Sequence, residues 1–95
     1  MGGTVAIVDT SSYALVSSIT NGLTNPYGVE ATPDGSEVWV TESGTNTVSV
    51  ISTQTNKIID TIVVGVYPHG IRITPDGTTA YIANTGPDTG RGGSY

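Results

Sequence analysis

Apolar and polar residues alternate along most of this chain, in short runs separated by clusters of turn residues. The run from Thr4 to Asp9 has a period of two and ends at the polar cluster Thr10-Ser11-Ser12. Such alternation is typical of β-strands with one buried face, and very short connections join antiparallel neighbours. We therefore predict an all-β chain of eight strands, at Thr4–Asp9, Tyr13–Thr20, Tyr27–Thr32, Glu37–Glu42, Thr47–Ser52, Lys57–Val64, His69–Thr74 and Thr79–Asn84.

The order of strands and turns occurs twice. The turn Thr32-Pro33-Asp34-Gly35 recurs as Thr74-Pro75-Asp76-Gly77. The copies are offset by 43 residues in the first part of the repeat and by 42 after a loop that has lost one residue, and twelve aligned positions are identical. Proline presets φ, aspartate bonds to the backbone two residues on and glycine accepts positive φ, so each copy of the turn predicts a hairpin.

The length of the repeat indicates its architecture. A period of about 40 to 45 residues with four short strands is that of a β-propeller blade, whereas helical repeats of similar length show 3.6-residue patterning. The sequence therefore predicts a β-propeller with antiparallel four-stranded blades, two blades' worth of strands in the chain.

Composition and charge exclude several partner classes. The chain has 95 residues, a formal net charge of −5 and only three Lys or Arg residues, so it lacks the basic surface that nucleic acids or anionic membranes require. It has no cysteine, which removes disulfides and thiolate metal sites. No apolar run approaches the ~20 residues of a membrane helix. We expect no nucleic-acid partner and no membrane insertion.

The sequence also resembles a known family, the YVTN-type β-propeller repeats of surface-layer and cell-surface proteins. The resemblance covers roughly residues 4–86 and implies four strand roles: A (innermost) at Tyr27–Thr32, B at Glu37–Glu42, C at Thr47–Ser52 and D (outermost) at Lys57–Val64. It also implies an extracellular or cell-surface location for the parent protein, with other surface proteins or glycans as further partners. The matching segments are Val38-Trp39-Val40-Thr41-Glu42, Ala80-Tyr81-Ile82-Ala83-Asn84, Asn46-Thr47-Val48-Ser49-Val50-Ile51-Ser52-Thr53 and Asn25-Pro26-Tyr27-Gly28-Val29.

With these roles the strand order is C-D-A-B-C-D-A-B, so one complete blade, residues 27–64, lies between two half blades. Two blades cannot close a ring, because propellers need about 4 to 8. We predict that oligomerisation completes the ring, with three chains in preference to four, since the C-terminal hairpin of one chain can pair with the N-terminal hairpin of the next. The inter-chain residues would be Thr4, Val5, Ala6, Ile7, Val8 and Asp9 against Thr79, Ala80, Tyr81, Ile82, Ala83 and Asn84.

A few residues are candidates for chemistry. His69, the only histidine, aligns with Tyr27 at the entry to the innermost strand, near one mouth of the channel. A surface or packing role is the first interpretation and a ligand at the channel mouth the second, because one histidine without cysteine gives no zinc set in a single chain. Aspartates 34 and 76 are interpreted as turn residues, since calcium needs further convergent carboxylates.

Two further pairs of aligned residues suggest contacts between blades, one pair of opposite charge and one pair of aromatic residues. Glu30 and Arg72 share one position on the innermost strand, which suggests an ion pair between neighbouring blades, with a solvent-filled channel lining or a ligand site as alternatives. Trp39 and Tyr81 share a position in strand B, where an aromatic residue is expected to pack between blades.

These observations favour a non-enzymatic scaffold and interaction module with no cofactor. The alternative is a fragment of a propeller enzyme, such as the quinone-cofactor dehydrogenases or lactonases, with its site at the channel mouth. We expect residues 1–3 to be a flexible start or a scar, residues 4–86 to form the blades and residues 87–95 to be a flexible tail. The sequence shows no targeting signal.

Overall fold

A computed structural model of the chain describes residues 3–20 and 22–86, so the predicted tail at 87–95 and Met1-Gly2 lie outside the described residues. Every regular element within the described part is a β-strand, as predicted. The eight strands are β1 Val5–Val8, β2 Leu15–Ile19, β3 Pro26–Ala31, β4 Glu37–Glu42, β5 Thr47–Ser52, β6 Lys57–Val63, β7 Pro68–Ile73 and β8 Ala80–Asn84.

The strands form three antiparallel sheets. The central sheet has four strands in the order β3-β4-β5-β6, and it is flanked by the two-stranded sheets β1-β2 and β7-β8. This is the predicted complete blade between two half blades. We call β1-β2 the N-terminal half blade and β7-β8 the C-terminal half blade.

Irregularities in strand pairing repeat along with the strands. The register between β1 and β2 shifts at Ile7/Val8, and that between β5 and β6 shifts at Val50/Ile51, 43 residues later. A bulge bends the strand that carries it. The N-terminal half blade therefore has the local shape of the outer half of the complete blade.

The two Pro-Asp-Gly turns have the predicted chemistry. Oδ1 of Asp34 accepts the backbone N–H of Ser36 at 3.0 Å, and Oδ1 of Asp76 accepts that of Thr78 at 3.1 Å. Gly35 has φ of 76° and Gly77 has φ of 74°. Because this left-handed region favours glycine, the turn sequence determines both hairpins.

A hydrophobic core joins the N-terminal half blade to the complete blade. Ile19 and Leu23 pack with Val40 and Ile51, and partly buried neighbours extend the cluster. We call the surface of the complete blade that carries Val40 and Ile51 the N-face. Alternation along β4 and β5 places these side chains on one side of the sheet, as the period of two predicted.

The opposite surface of the complete blade, the C-face, packs against the C-terminal half blade. Val48 and Val50 are buried on this face, and Ile71 of β7, in the C-terminal half blade, is buried as well. β7 is in contact with both β3 and β4. Each face of the complete blade is therefore covered by only half a blade, the N-face by C- and D-type strands and the C-face by A- and B-type strands.

The second strand is shorter than predicted. Tyr13 was expected to begin it, but the residue has φ of 63° and its N–H donates to the carbonyl of Asp9 at 2.7 Å. Positive φ is incompatible with a strand, so Tyr13 belongs to the turn and β2 begins at Leu15.

Candidate functional site: the inner strands and the open edges

The clearest candidate site is at the start of the two innermost strands, where Tyr27 and His69 lie side by side. Their ring centroids are 4.0 Å apart and the ring planes differ by 5°, so the rings are stacked. Tyr27 is 67% exposed and His69 is half-buried. Alignment in the repeat predicted that both would lie near the channel mouth, and the fold brings them into direct contact across the boundary between blades.

Gly28 and Thr41 explain why the two inner strands come so close. The hydroxyl of Thr41 accepts the N–H of Gly28 at 2.7 Å and donates to the carbonyl of His69 at 2.8 Å. A Cβ at Gly28 would collide with that carbonyl oxygen. Thr41 is fully buried, so a single hydroxyl satisfies backbone groups of two blades.

Glu30 and Arg72 occupy the aligned positions predicted for them. Glu30 lies opposite Trp39 and is half-buried, whereas Arg72 lies opposite Tyr81 and is exposed. An ion pair between the two side chains stays a prediction.

The sequence did not predict that the side chain of Glu42 would be buried. Glu42, at the end of β4, is 1% exposed, and its carboxylate accepts the N–H of Thr24 at 2.6 Å and the hydroxyl of Ser49. At the aligned position Asn84 accepts the N–H of Gly65 through Oδ1 at 3.0 Å. The last residue of strand B therefore anchors the loop that leads into strand A in both copies, and the alignment of Glu42 with Asn84 was the available signal.

The aspartates of the turns are ionised acceptors for local donors. The pKa of Asp34 lies below its ordinary value of 3.8, first because the N–H of Ser36 donates to it and then because the hydroxyls of Thr32 and Ser36 do. The pKa of Asp76 is lowered first by the hydroxyl of Thr74. Within the described residues no group of three or more His, Cys, Asp or Glu residues is placed to hold a metal ion.

The edge strands β1 and β8 each have one partner, whereas their counterparts in the complete blade, β5 and β4, each have two. β1 pairs only with β2, and β8 pairs only with β7, among the strands that the structure describes. The predicted inter-chain residues Thr4–Asp9 and Thr79–Asn84 therefore lie on the open sides of the two half blades. Their pairing with another chain stays a prediction.

The sheets, the blade order and the packed faces together define part of a β-propeller, with one complete blade and two half blades. Among solved structures, the chain is similar to hydrazine synthase of Kuenenia stuttgartiensis, with a TM-score of 0.82 and 33% identity over 97% of this chain and 28% of that one.

Two further structures share the fold. The dihydro-heme d1 dehydrogenase NirN, solved in complex with DHE, has a TM-score of 0.73 and 18% identity over 88% of this chain and 18% of that chain. A functionally unknown protein from Desulfotomaculum acetoxidans has a TM-score of 0.68 and 22% identity over 83% of this chain and 26% of that chain. The chain thus spans 18% to 28% of the length of these three proteins.

Neither the protein-family models nor the curated proteins include a match to this sequence. In the part of the chain that the structure describes, no helix has the length and apolar character needed to cross a membrane.

Proposed function

We propose that this chain is a non-enzymatic propeller module that assembles with copies of itself into a closed ring and serves as a scaffold and interaction surface. The observation that carries the proposal is the complementarity of the two half blades: β1-β2 has outer strands and lacks inner ones, and β7-β8 has inner strands and lacks outer ones. Each half supplies what the other lacks. Three chains would give six blades, and four would give eight.

We further propose that the chain is of the YVTN surface-layer type, with a cell-surface location for the parent protein. Its support is the set of aligned strand and turn motifs. Short loops join most strands, and the Tyr27–His69 stack would recur around one mouth of the ring, so the ring would display an aromatic rim. Surface proteins or glycans would be the partners of that rim.

Amide hydrogen exchange of the 95-residue chain tests the assembly. The amides of β1 and β8 on their open edges should exchange slowly at high chain concentration and faster on dilution, because only another chain protects them. The amides between β4 and β5 are an internal control, since they are bonded within the chain. Fast exchange of the β1 and β8 edges at every concentration, with β4 and β5 protected, would contradict the proposal.

The second candidate is a piece of a propeller enzyme. It is favoured by the 33% identity to hydrazine synthase, which extends over nearly the whole of this chain. A site at the channel mouth would then use Tyr27 and His69, whose rings stack there. Absorbance titration with a haem or a quinone tests this: binding that is lost in both Tyr27→Ala and His69→Ala would support the enzyme, and absence of binding is expected for the scaffold.

A further inference from the structure

Aligned positions in the repeat differ sharply in exposure, and the difference depends on whether a neighbouring blade is present. Val29 of β3 is 55% exposed, whereas Ile71, its counterpart in β7, is 7% exposed. Val8 of β1 is 51% exposed, whereas Ile51, its counterpart in β5, is 2% exposed. The two buried residues, Ile71 and Ile51, face an adjacent blade. The two exposed residues, Val29 and Val8, occupy the aligned positions at surfaces where that neighbour is missing.

The outer and inner strands show the same contrast. Ile19 in β2 is buried against the complete blade, but Ile62 at the aligned position in β6 is 36% exposed. Trp39 borders a small cleft against the C-terminal half blade, whereas its counterpart Tyr81 is 67% exposed. The open surfaces therefore carry apolar residues at the positions of the repeat whose aligned counterparts are covered within the chain.

The pairing of a B-type strand with a C-type strand, which the two half blades lack, is present in the complete blade between β4 and β5. β4 and β5 pair without a register shift from Glu37 opposite Ser52 to Glu42 opposite Thr47. β8 aligns with β4 and β1 aligns with β5. If β8 and β1 pair in the same register as β4 and β5, Ala80 lies opposite Val8 and Ala83 lies opposite Val5.

We propose that the open edge of β8 binds β1 of a second copy of this chain in that register. The proposal rests on the self-assembly proposed above and deepens it. Tyr81 would then lie near Ala31 and Val38 of the second copy, because Trp39 lines one cleft with their aligned counterparts Ile73 and Ala80 within the chain. Val8 of the second copy would cover Ile62 of the first.

A second copy fits these edges better than an unrelated strand does. Natural edge strands are commonly protected by charged residues, but neither β1, with the sequence VAIV, nor β8, with the sequence AYIAN, contains Lys, Arg, Asp or Glu. The new interface is continuous with the one already formed between blades. Head-to-tail pairing of this kind generates a ring when the rotation closes.

Paired cysteines test the register directly, because the chain has no cysteine of its own. Residues directly opposite each other in an antiparallel pair have Cα atoms ~4.5 to 5.5 Å apart, within disulfide reach. Val8→Cys/Ala80→Cys and Val5→Cys/Ala83→Cys place cysteines at the two matched pairs. Val8→Cys/Ala83→Cys is the control, displaced by three residues or about 10 Å.

Under mild oxidation the matched variants should form disulfide-linked multimers of the native assembly size, and the control should stay unlinked. Mixing the Val8→Cys chain with the Ala80→Cys chain should give linked dimers, which shows that the bond joins different chains. Linkage in the control and not in the matched variants, or linkage within one chain, would overturn the proposed register. Light scattering of the unmodified chain separates the two failures: a multimer without matched linkage refutes only the register, and a monomer refutes self-assembly as well.

Discussion

The hydroxyl of Thr41 donates to the carbonyl of His69 at 2.8 Å and thereby joins the inner strands of adjacent blades. The same hydroxyl accepts the N–H of Gly28. Strand β4 therefore has two roles, since its backbone pairs within its own blade and one of its side chains fixes the next blade. The stacked rings of Tyr27 and His69 lie where this contact brings β3 and β7 together.

Removal of the hydroxyl should weaken the contact between blades. Thr41→Val keeps the shape of the side chain but leaves a part-buried N–H and a part-buried carbonyl without this partner, so we expect a loss of about 1 to 3 kcal/mol in the free energy of unfolding. Thr41→Ser retains the hydroxyl and should lose much less. Urea denaturation at a fixed chain concentration measures both, and equal stability of Thr41→Val and the parent chain would contradict the role of Thr41.

The two aligned glycines of the inner strands should respond differently to alanine. A Cβ at Gly28 meets the carbonyl of His69, whereas at Gly70 the nearest atom is the Cβ of Ala83 at 3.7 Å, an ordinary contact. For the dissociated chain, in which no second copy faces Gly70, we expect Gly28→Ala to cost about 1 to 3 kcal/mol by overpacking, and Gly70→Ala to change stability by less than about 0.5 kcal/mol. Thermal unfolding of both variants, at a concentration low enough to dissociate the assembly, checks the contrast, which fails if the two behave alike.

Replacing Tyr13 by the residue at the aligned position of the repeat, Asn56, should stabilise the first turn. Tyr13 and Asn56 occupy the aligned turn positions with φ of 63° and 57°, and each N–H bonds to the carbonyl four residues back. Asparagine tolerates this conformation better than tyrosine. Tyr13→Asn should therefore raise the free energy of unfolding by about 0.5 to 1 kcal/mol, and Asn56→Tyr should lower it by a similar amount. The exposed side chain of Tyr13 loses little packing, so destabilisation by Tyr13→Asn would refute this reasoning.

Acid should weaken the hairpins at the two Pro-Asp-Gly turns. The pKa values of Asp34 and Asp76 are lowered in the folded chain, so the stabilisation they give is complete above their unfolded value of 3.8 and is lost as pH falls through the lower folded values. The urea midpoint of the parent chain should fall below about pH 4. The double variant Asp34→Asn/Asp76→Asn should show a shallower fall, and an equally steep pH profile would contradict the assignment.

Much of this architecture follows from local sequence. The Pro-Asp-Gly turns fix two hairpins because few residues accept their backbone angles. Alternation in segments such as Thr47–Ser52 determines which side chains share a face of the sheet, although both faces of that strand are buried. The sequence also predicted that Tyr27 and His69 would share a position in neighbouring blades. These predictions depend on contacts between residues close in the chain or aligned in the repeat.

Other features depend on packing between blades and have no local signal. The hydrogen bond from Thr41 to His69 joins residues 28 positions apart, and at the position aligned with Thr41 the chain has Ala83, which has no hydroxyl. Glu42 resembles an exposed strand residue in sequence, yet it is buried because it anchors a loop. The positive φ of Tyr13 was also missed, since tyrosine usually favours strands.

Native mass spectrometry of the 95-residue chain tests the central claim most directly. The account predicts a discrete assembly of three chains of 9.7 kDa each, with no open half blade left in the ring. A monomer whose circular dichroism retains a native sheet spectrum would contradict it, because the edges of β1 and β8 would then be stable without a second copy.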